Sequence, residues 1–259
     1  MTGLSPALRE RVGRLARAGH LLIALDFDGT LSPFVDDPSQ ARPLPAAARA
    51  LRELADAADT DIALISGRAL ESLRDVASPG PRTLLVGSHG AEHFAPSEFE
   101  AEVSQAQLSN KQSKLLKKAA ATLEAVAQQF EGAWVESKPA GLVLHVRMTP
   151  QEQLGAVVRA AFSGLDRLDG VTATQGKGMI EVTVLEANKG QGLNWLREVT
   201  DASVVLFAGD DVTDEDAFKV LSPADVGIKV GTGRTAAEFS VDGPGDIAEL
   251  LQLLVDVRG

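Results

Sequence analysis

The sequence predicts an α/β fold, a parallel sheet under helices on both faces with a smaller α+β module inserted in it. Three observations lead there. Short uninterrupted apolar runs such as Leu21-Leu22-Ile23-Ala24-Leu25 and Val204-Val205-Leu206-Phe207-Ala208-Gly209 read as strands buried on both faces. The first and last thirds of the chain alternate strand and helix, the rhythm of a parallel sheet. The middle breaks it with the order α-β-β-α-β-β.

Taken in order, Ser5-Pro6 opens an amphipathic helix with Leu8, Val12 and Leu15 on one stripe and Gly19 as its stop. Strand 21–25 follows, then helix 45–58, strand 61–65, helix 69–77 and strand 83–86. The turn signals Arg42-Pro43-Leu44-Pro45 and Ser78-Pro79-Gly80-Pro81 separate them. In the middle, helix 111–130 carries Leu115, Ala119, Leu123, Val126 and Phe130. Strands Ala133–Lys138 and Gly141–Arg147, helix 150–163 and strands 171–174 and 178–184 come after it. The last third holds helix 189–199, strand 203–207, a short helix 214–221, strand 226–230 and helix 244–257. These elements imply a core of residues 1–94 and 187–259 with a module at 95–186.

Composition narrows the function. The 259 residues are 44% hydrophobic, enough for a sizeable core. Without cysteine there is no disulfide, thiolate metal site or catalytic thiol. A formal net charge of −11 argues against nucleic acid as a partner, though not against a small anionic substrate. No stretch approaches the ~20 apolar residues of a membrane span, and the first residues do not read as a signal peptide. A cytoplasmic monomer that does not engage membranes is expected.

The chemistry sits where two buried strands end. Strand 21–25 runs into Asp26-Phe27-Asp28-Gly29-Thr30, and strand 203–207 into Asp210-Asp211-Val212-Thr213-Asp214-Glu215-Asp216. In parallel sheets ligands bind beyond the carboxyl ends of strands. Carboxylates converging there repel one another unless a cation lies between them, and hard oxygen donors suit Mg²⁺. This is the layout of a Mg²⁺-dependent phosphoryl-transfer centre. Asp26 can reach both a metal and a phosphorus atom. Asp28 can offer its carbonyl to the metal and its side chain as general acid, then base. Asp210 is the expected metal ligand of the second cluster, with Asp211 as its outer partner. Glu215 and Asp216 suit a helix's first turn through its dipole, and Asp214 fits either role.

Cations and hydroxyls complete the pattern. Ser66-Gly67-Arg68 ends strand 61–65 and opens a helix, where a hydroxyl and free N–H groups can hold an anion; a plain N-cap has the same geometry. Lys189 starts a helix, where a cation opposes the dipole, so helix stability does not explain it. An attacking carboxylate and a phosphate dianion need such a charge beside them. Arg68 can act likewise or pair with an acid. His89 and His93 lie in a turn-rich stretch without H-E-x-x-H, so zinc is not indicated. In the module, strand alternation puts Glu136 with Lys138, His145 with Arg147, and Lys177 with Met179 and Glu181. Such a polar face is either solvated or binds sugar.

Together these residues resemble the haloacid dehalogenase-like phosphotransferases, through D-x-D-G-T at Asp26–Thr30, Ser66, Lys189 and Asp210-Asp211. Within that superfamily the chain resembles the trehalose-6-phosphate phosphatase family. The strings are LDFDGTLSPFVDD (Leu25–Asp37), ISGR (Ile65–Arg68), GSHGAE (Gly87–Glu92), HVR (His145–Arg147) and GDDVTDEDAF (Gly209–Phe218). The resemblance implies a Rossmann-like core with an inserted α+β cap and Mg²⁺ as cofactor. It implies Asp26 as nucleophile, Asp28 as acid/base, and Asp26, Asp28 and Asp210 as metal ligands, with Ser66, Lys189 and Asp211 completing the catalytic set. The implied substrate-binding set is Arg68, His89, Glu136, Lys138, His145, Arg147, Lys177 and Glu181. Many members read E-V-R-P where this chain has Glu181-Val182-Thr183-Val184. The expected reaction is hydrolysis of trehalose 6-phosphate. The nearest alternative is a sucrose-phosphate or glucosyl-glycerol-phosphate phosphatase. A receiver domain would lack an inserted module, and a hydrolytic dehalogenase would not need Asp28.

Overall fold

The computed structural model describes residues 3–99, 108–138, 141–176, 178–185 and 187–258. It divides into two compact units, Met1–Gln105 with Ala187–Gly259, and Ala106–Glu186. Residues 95–99, expected in the module, cluster with the larger unit and include the single 3₁₀ turn Ser97–Phe99.

The larger unit is built on seven strands: β1 (Leu21–Leu25), β2 (Thr60–Ile65), β3 (Leu84–Gly87), β4 (Glu92–Phe94), β9 (Val204–Gly209), β10 (Val226–Val230) and β11 (Phe239–Val241). Their order is β11-β10-β9-β1-β2-β3-β4, parallel throughout except for the antiparallel β3/β4 pair. Alternation sorts the side chains cleanly. Leu21, Ile23 and Leu25 enter one core with Ile62, Leu64 and Leu206, while Leu22 and Ala24 enter the other with Ala63, Ile65 and Phe207. The first core is covered by α1 (Pro6–Leu15), α2 (Pro45–Ala55), α3 (Leu70–Ala77) and α8 (Pro244–Arg258). The second is covered by α6 (Lys189–Thr200) and the short α7 (Glu215–Phe218). Both faces of the sheet are therefore dry, as the unbroken apolar runs require.

The structure differs from the sequence reading in places. β4 and β11 are three-residue edge strands, too short for a period to show. The helix expected at 214–221 is a 3₁₀ turn at Val212–Asp214 followed by the four residues of α7. α2 stops at Ala55, three residues early.

The smaller unit has α4 (Asn110–Ala127), α5 (Leu154–Leu165) and four antiparallel strands in the order β5-β6-β8-β7. These are β5 (Trp134–Lys138), β6 (Gly141–His145), β7 (Thr172–Gly176) and β8 (Met179–Thr183). Leu142, Leu144, Ile180 and Val182 pack on Ala119, Leu123, Val126, Val157, Ala161 and Leu165 of the helices. One face of the sheet is thus committed to a core. Among the described residues no helix is long and apolar enough to cross a membrane.

One side chain ties three segments of the larger unit. The Arg258 guanidinium donates to the carbonyls of Ala16, Ala18, Gly19, Ala58 and Asp59, and to Thr60 Oγ1. Arg258→Ala leaves these acceptors to water or to nothing, so urea denaturation should show a loss of about 1–3 kcal/mol. An unchanged midpoint would show that water replaces the guanidinium without cost.

Candidate active site

The strand ends bring both acidic clusters together. β1 pairs in register with β9, Leu25 opposite Ala208, and the Asp26 amide donates to the Ala208 carbonyl at 2.9 Å. The next residues on the two strands are then neighbours. Carboxylate oxygens of Asp26, Asp210 and Asp214 lie within 4.8 Å of one another. Asp26 and Asp214 are buried, while Asp210 is partly exposed.

Two glycines make room. Gly29 has φ +85°, and a Cβ there would fall 2.4 Å from the Asp210 carboxylate. A Cβ on Gly209 would fall 2.2 Å from the Asp214 carboxylate. The D-x-D-G and G-D-D-x-x-D spacings are thus steric requirements of the cluster itself.

Lys189 holds the cluster from below. Its Nζ donates to Asp26 Oδ1 at 2.8 Å and to Asp214 Oδ1 at 2.7 Å, and the side chain is 2% exposed. Asn188 caps α6 through a capping box with Gln191, which supplies the helix start that the lysine's charge disfavours. Burial works against the ammonium, but the Asp214 and Asp26 carboxylates outweigh it and raise its pKa above the ordinary lysine value. The other oxygen of Asp214 accepts from the Asp211 amide at 2.8 Å, which fixes the turn after β9. Lys229, a buried cation inside β10, donates to the Asp210 carbonyl at 2.5 Å and to the Asp211 carbonyl at 3.3 Å.

Sequence reasoning left Asp214 undecided and missed Lys229. The signal for Asp214 is the D-x-x-D capping-box spacing from Asp211. The signal for Lys229 is a lysine in the middle of the apolar strand Val226–Val230, where an unpaired charge is not tolerated.

Asp28 is turned elsewhere. Arg68 grips its carboxylate in a fork, Nε to Oδ2 at 2.6 Å and Nη2 to Oδ1 at 2.7 Å, and also donates to the Pro38 carbonyl. Of the three expected metal ligands, Asp26 and Asp210 share the cluster, which Asp214 joins, and the Asp28 carboxylate faces Arg68. Ser66 is buried at the end of β2, its Oγ accepting from the Arg68 amide at 3.1 Å. The imidazole of His89 lies against Gly67, where a Cβ would approach it to 2.5 Å. Ser88 and His89 both have left-handed φ, and Glu92 Oε2 accepts from Ser88 Oγ and from the Leu70 amide. GSHGAE is therefore a tight turn that carries its own acceptor for the first turn of α3.

In the smaller unit the ladders place Trp134, Glu136, Lys138, Val143, His145, Met179 and Glu181 on one face. His145 Nε2 meets Glu136 Oε2 at 2.7 Å, and Lys138 Nζ meets Glu181 Oε1 at 3.4 Å. Arg147 lies two residues beyond β6, its Cβ beside Gly178. Lys177 lies outside the described residues.

The profile of the trehalose-phosphatase family matches residues 24–244, a span that includes every residue of the cluster. This chain belongs to the trehalose-phosphatase family. It is 36% identical over 244 residues to the trehalose-phosphate phosphatase of Mycobacterium marinum, covering 88% of this chain and 59% of that protein. The Mycobacterium tuberculosis protein of the same name is also 36% identical, with 90% of this chain and 60% of that one covered. The chain thus spans about three-fifths of these relatives. Among solved structures, the C-terminal domain of Candida albicans trehalose-6-phosphate phosphatase superposes with a TM-score of 0.84 at 23% identity, over 99% of both chains. A Bacillus subtilis haloacid dehalogenase-like hydrolase superposes with a TM-score of 0.60 at 16% identity, over 89% of this chain and 98% of that one. These likenesses establish the haloacid dehalogenase-like fold.

The electrostatics of the cluster lead to a measurable pH dependence. Burial, reinforced by the Asp214 carboxylate, pushes Asp210 up to about 6, against the pull of Lys189. Burial likewise pushes Asp26 well above its ordinary value, with Lys189 opposing and Asp214 and Asp210 adding to the push. A raised carboxyl pKa means that folding favours the protonated form. That contribution is fully present below the unfolded carboxyl pKa and is lost as pH rises through about 6. In EDTA, Asp210→Asn should be more stable than wild type at pH 7 by about 1–2 kcal/mol, with the advantage vanishing near pH 4. A constant difference across that range would assign the effect to packing.

Proposed function

We propose that this chain is a Mg²⁺-dependent phosphatase that hydrolyses trehalose 6-phosphate to trehalose and phosphate through an aspartyl-phosphate on Asp26. The observation that carries this reading is the buried Asp26–Lys189–Asp214 bridge beside Asp210, in a chain of the trehalose-phosphatase family. The relatives' names supply the sugar, and the residues supply the chemistry.

The donor set fits Mg²⁺. Carboxylate oxygens of Asp26, Asp210 and Asp214 are hard donors gathered within 4.8 Å, and burial, with the neighbouring carboxylates adding to it, raises the pKa values of Asp26 and Asp210, so a cation is favoured there. In this reading Asp26 and Asp210 hold the ion, with the Asp28 carbonyl as a further donor. When bound, Mg²⁺ offsets the charge of nucleophile and phosphate so that the two can approach.

The rest is done by the chain. Lys189 holds one oxygen of Asp26, leaving the other to attack phosphorus in line with the sugar oxygen. The Ser66 hydroxyl, whose Oγ accepts from the Arg68 amide, has its proton to give to a phosphate oxygen. Asp28 gives a proton to the leaving sugar oxygen as the P–O bond breaks, then takes one from the water that attacks the aspartyl-phosphate. Phosphate leaves and Asp26 is restored. Both Asp28 oxygens are engaged by Arg68 in the structure, so proton transfer requires the guanidinium to let go of one, and an arriving phosphate or sugar gives it another partner. The polar face of the smaller unit, with Glu136, Lys138, His145, Arg147, Lys177 and Glu181, is assigned to the sugar.

A panel of sugar phosphates tests the reading. Phosphate release should be fastest with trehalose 6-phosphate, vanish in EDTA and return with Mg²⁺. Preference for sucrose 6-phosphate or glucosyl-glycerol phosphate would keep the chemistry and change the substrate, and full activity after exhaustive chelation would remove the metal.

The nucleophile has its own test. Asp26→Asn should remain folded by circular dichroism and lose turnover by several orders of magnitude, with no phosphoenzyme trapped on acid quench. Near-wild-type turnover in that variant would exclude the covalent route.

A further inference from the structure

The polar face of the smaller unit carries one large aromatic side chain. Trp134 opens β5 and pairs with His145 across the ladder, on the same face as Glu136, Lys138 and Glu181. Its indole stacks on the His145 imidazole with centroids 4.0 Å apart and planes 12° apart. Glu136 holds that imidazole through the 2.7 Å contact to Nε2, so the ring under the indole cannot swing freely. Trp134 nevertheless remains 51% exposed.

An indole left in water on a sheet with an available core is unusual. The opposite face buries Leu142, Leu144, Ile180 and Val182 against two helices, and Val135 packs at its margin. Trp134 is therefore not a displaced core residue. Moving it to that face would shift β5 by one residue and carry Glu136 and Lys138 into the core as well. What the arrangement supplies is a flat apolar surface, held on one side by an imidazole and flanked by two carboxylates and an ammonium. A pyranose ring is its complement, with C–H groups exposed on a ring face and hydroxyls around the rim. Binding sites for such ligands combine aromatic surface with a few placed polar groups.

We infer that Trp134 is the stacking platform for a pyranose ring of the sugar substrate, and so a specificity-determining residue of this chain. The inference rests on the proposed sugar-phosphatase activity. Glu136, Lys138 and Glu181 then take hydroxyls at the rim of the ring, and His145 acts on the sugar by holding the indole in place.

Intrinsic fluorescence can test this, because the chain has two tryptophans and no tyrosine. The second, Trp195, is half-buried in α6 and stacked on His93. Trehalose should change the emission saturably in the wild type and in Trp195→Phe, and leave it unchanged in Trp134→Phe. Trp134→Ala should raise KM for trehalose 6-phosphate roughly tenfold, with a smaller change in kcat, and Trp134→Phe should recover most of the loss. Silent emission in Trp195→Phe, or an unchanged KM in Trp134→Ala, overturns the inference and makes the indole a shield for the β5 edge. Should the alanine variant fail to fold, the emission experiment decides alone. Turnover of trehalose 6-phosphate with a silent Trp134 removes the platform and keeps the activity. A response of Trp134 to trehalose or sucrose in a protein that releases no phosphate does the reverse.

Discussion

A buried ammonium between two buried carboxylates is the contact on which the rest of the larger unit's site depends. Lys189 reaches Asp26 and Asp214 from the first turn of α6, at the end of a helix that repels a cation. The arrangement persists because the alternative is worse. Three carboxylates at the ends of β1 and β9 with no cation among them would carry a desolvation and repulsion cost of several kcal/mol. Gly190 and Gly192 help to bring the lysine to its place, since a Cβ on either would meet the Asp216 carbonyl or the Val86 side chain. The Asn188–Gln191 capping box offsets part of what the misplaced charge costs the helix. Lys189 so holds together a site whose groups oppose one another, which is a mark of function more than of stability.

The two carboxylates of the D-x-D segment show how two residues of backbone separate roles. Asp26 continues the line of β1 and is buried in the cluster with Lys189. Asp28 lies just before the turn at Gly29–Leu31, partly exposed, and is held by Arg68 from the loop after β2. A carboxylate kept next to a buried ammonium and two other acids suits attack on phosphorus. One at the rim, with an arginine able to exchange partners, suits proton traffic with a leaving group and a water. Identical side chains two residues apart thus stand in different electrostatic surroundings.

The parts legible in sequence were those with a period or a sharp punctuation. Strands 21–25 and 226–230 appear with the bounds expected, the first an unbroken apolar run and the second an apolar-rich one between Asp225 and Gly231. Asp26 and Asp210 could be placed together because strands of one parallel sheet end on the same side. What stayed hidden depends on contacts between distant segments. No local pattern announces that Lys229 caps two carbonyls, that Asp28 is taken by Arg68, or that Glu92 serves the start of α3. β4 and β11 were invisible because three residues cannot display alternation.

The two units place their functional side chains by different rules. In the larger unit the clustered carboxylates sit just beyond strand ends, where direction makes them converge and register matters less than which strands are adjacent. In the smaller unit they sit along strand faces, where only the period of two positions them. A slip of one residue in β5 would replace Glu136 and Lys138 by Val135 and Ser137 and turn both charges toward Leu142 and Leu144. The core beneath β6 and β8 therefore does more than stabilise the unit. By burying Leu142, Leu144, Ile180 and Val182 it fixes the register that presents Trp134, Glu136 and Lys138 together, so that the face proposed to take the sugar is set by packing on the other.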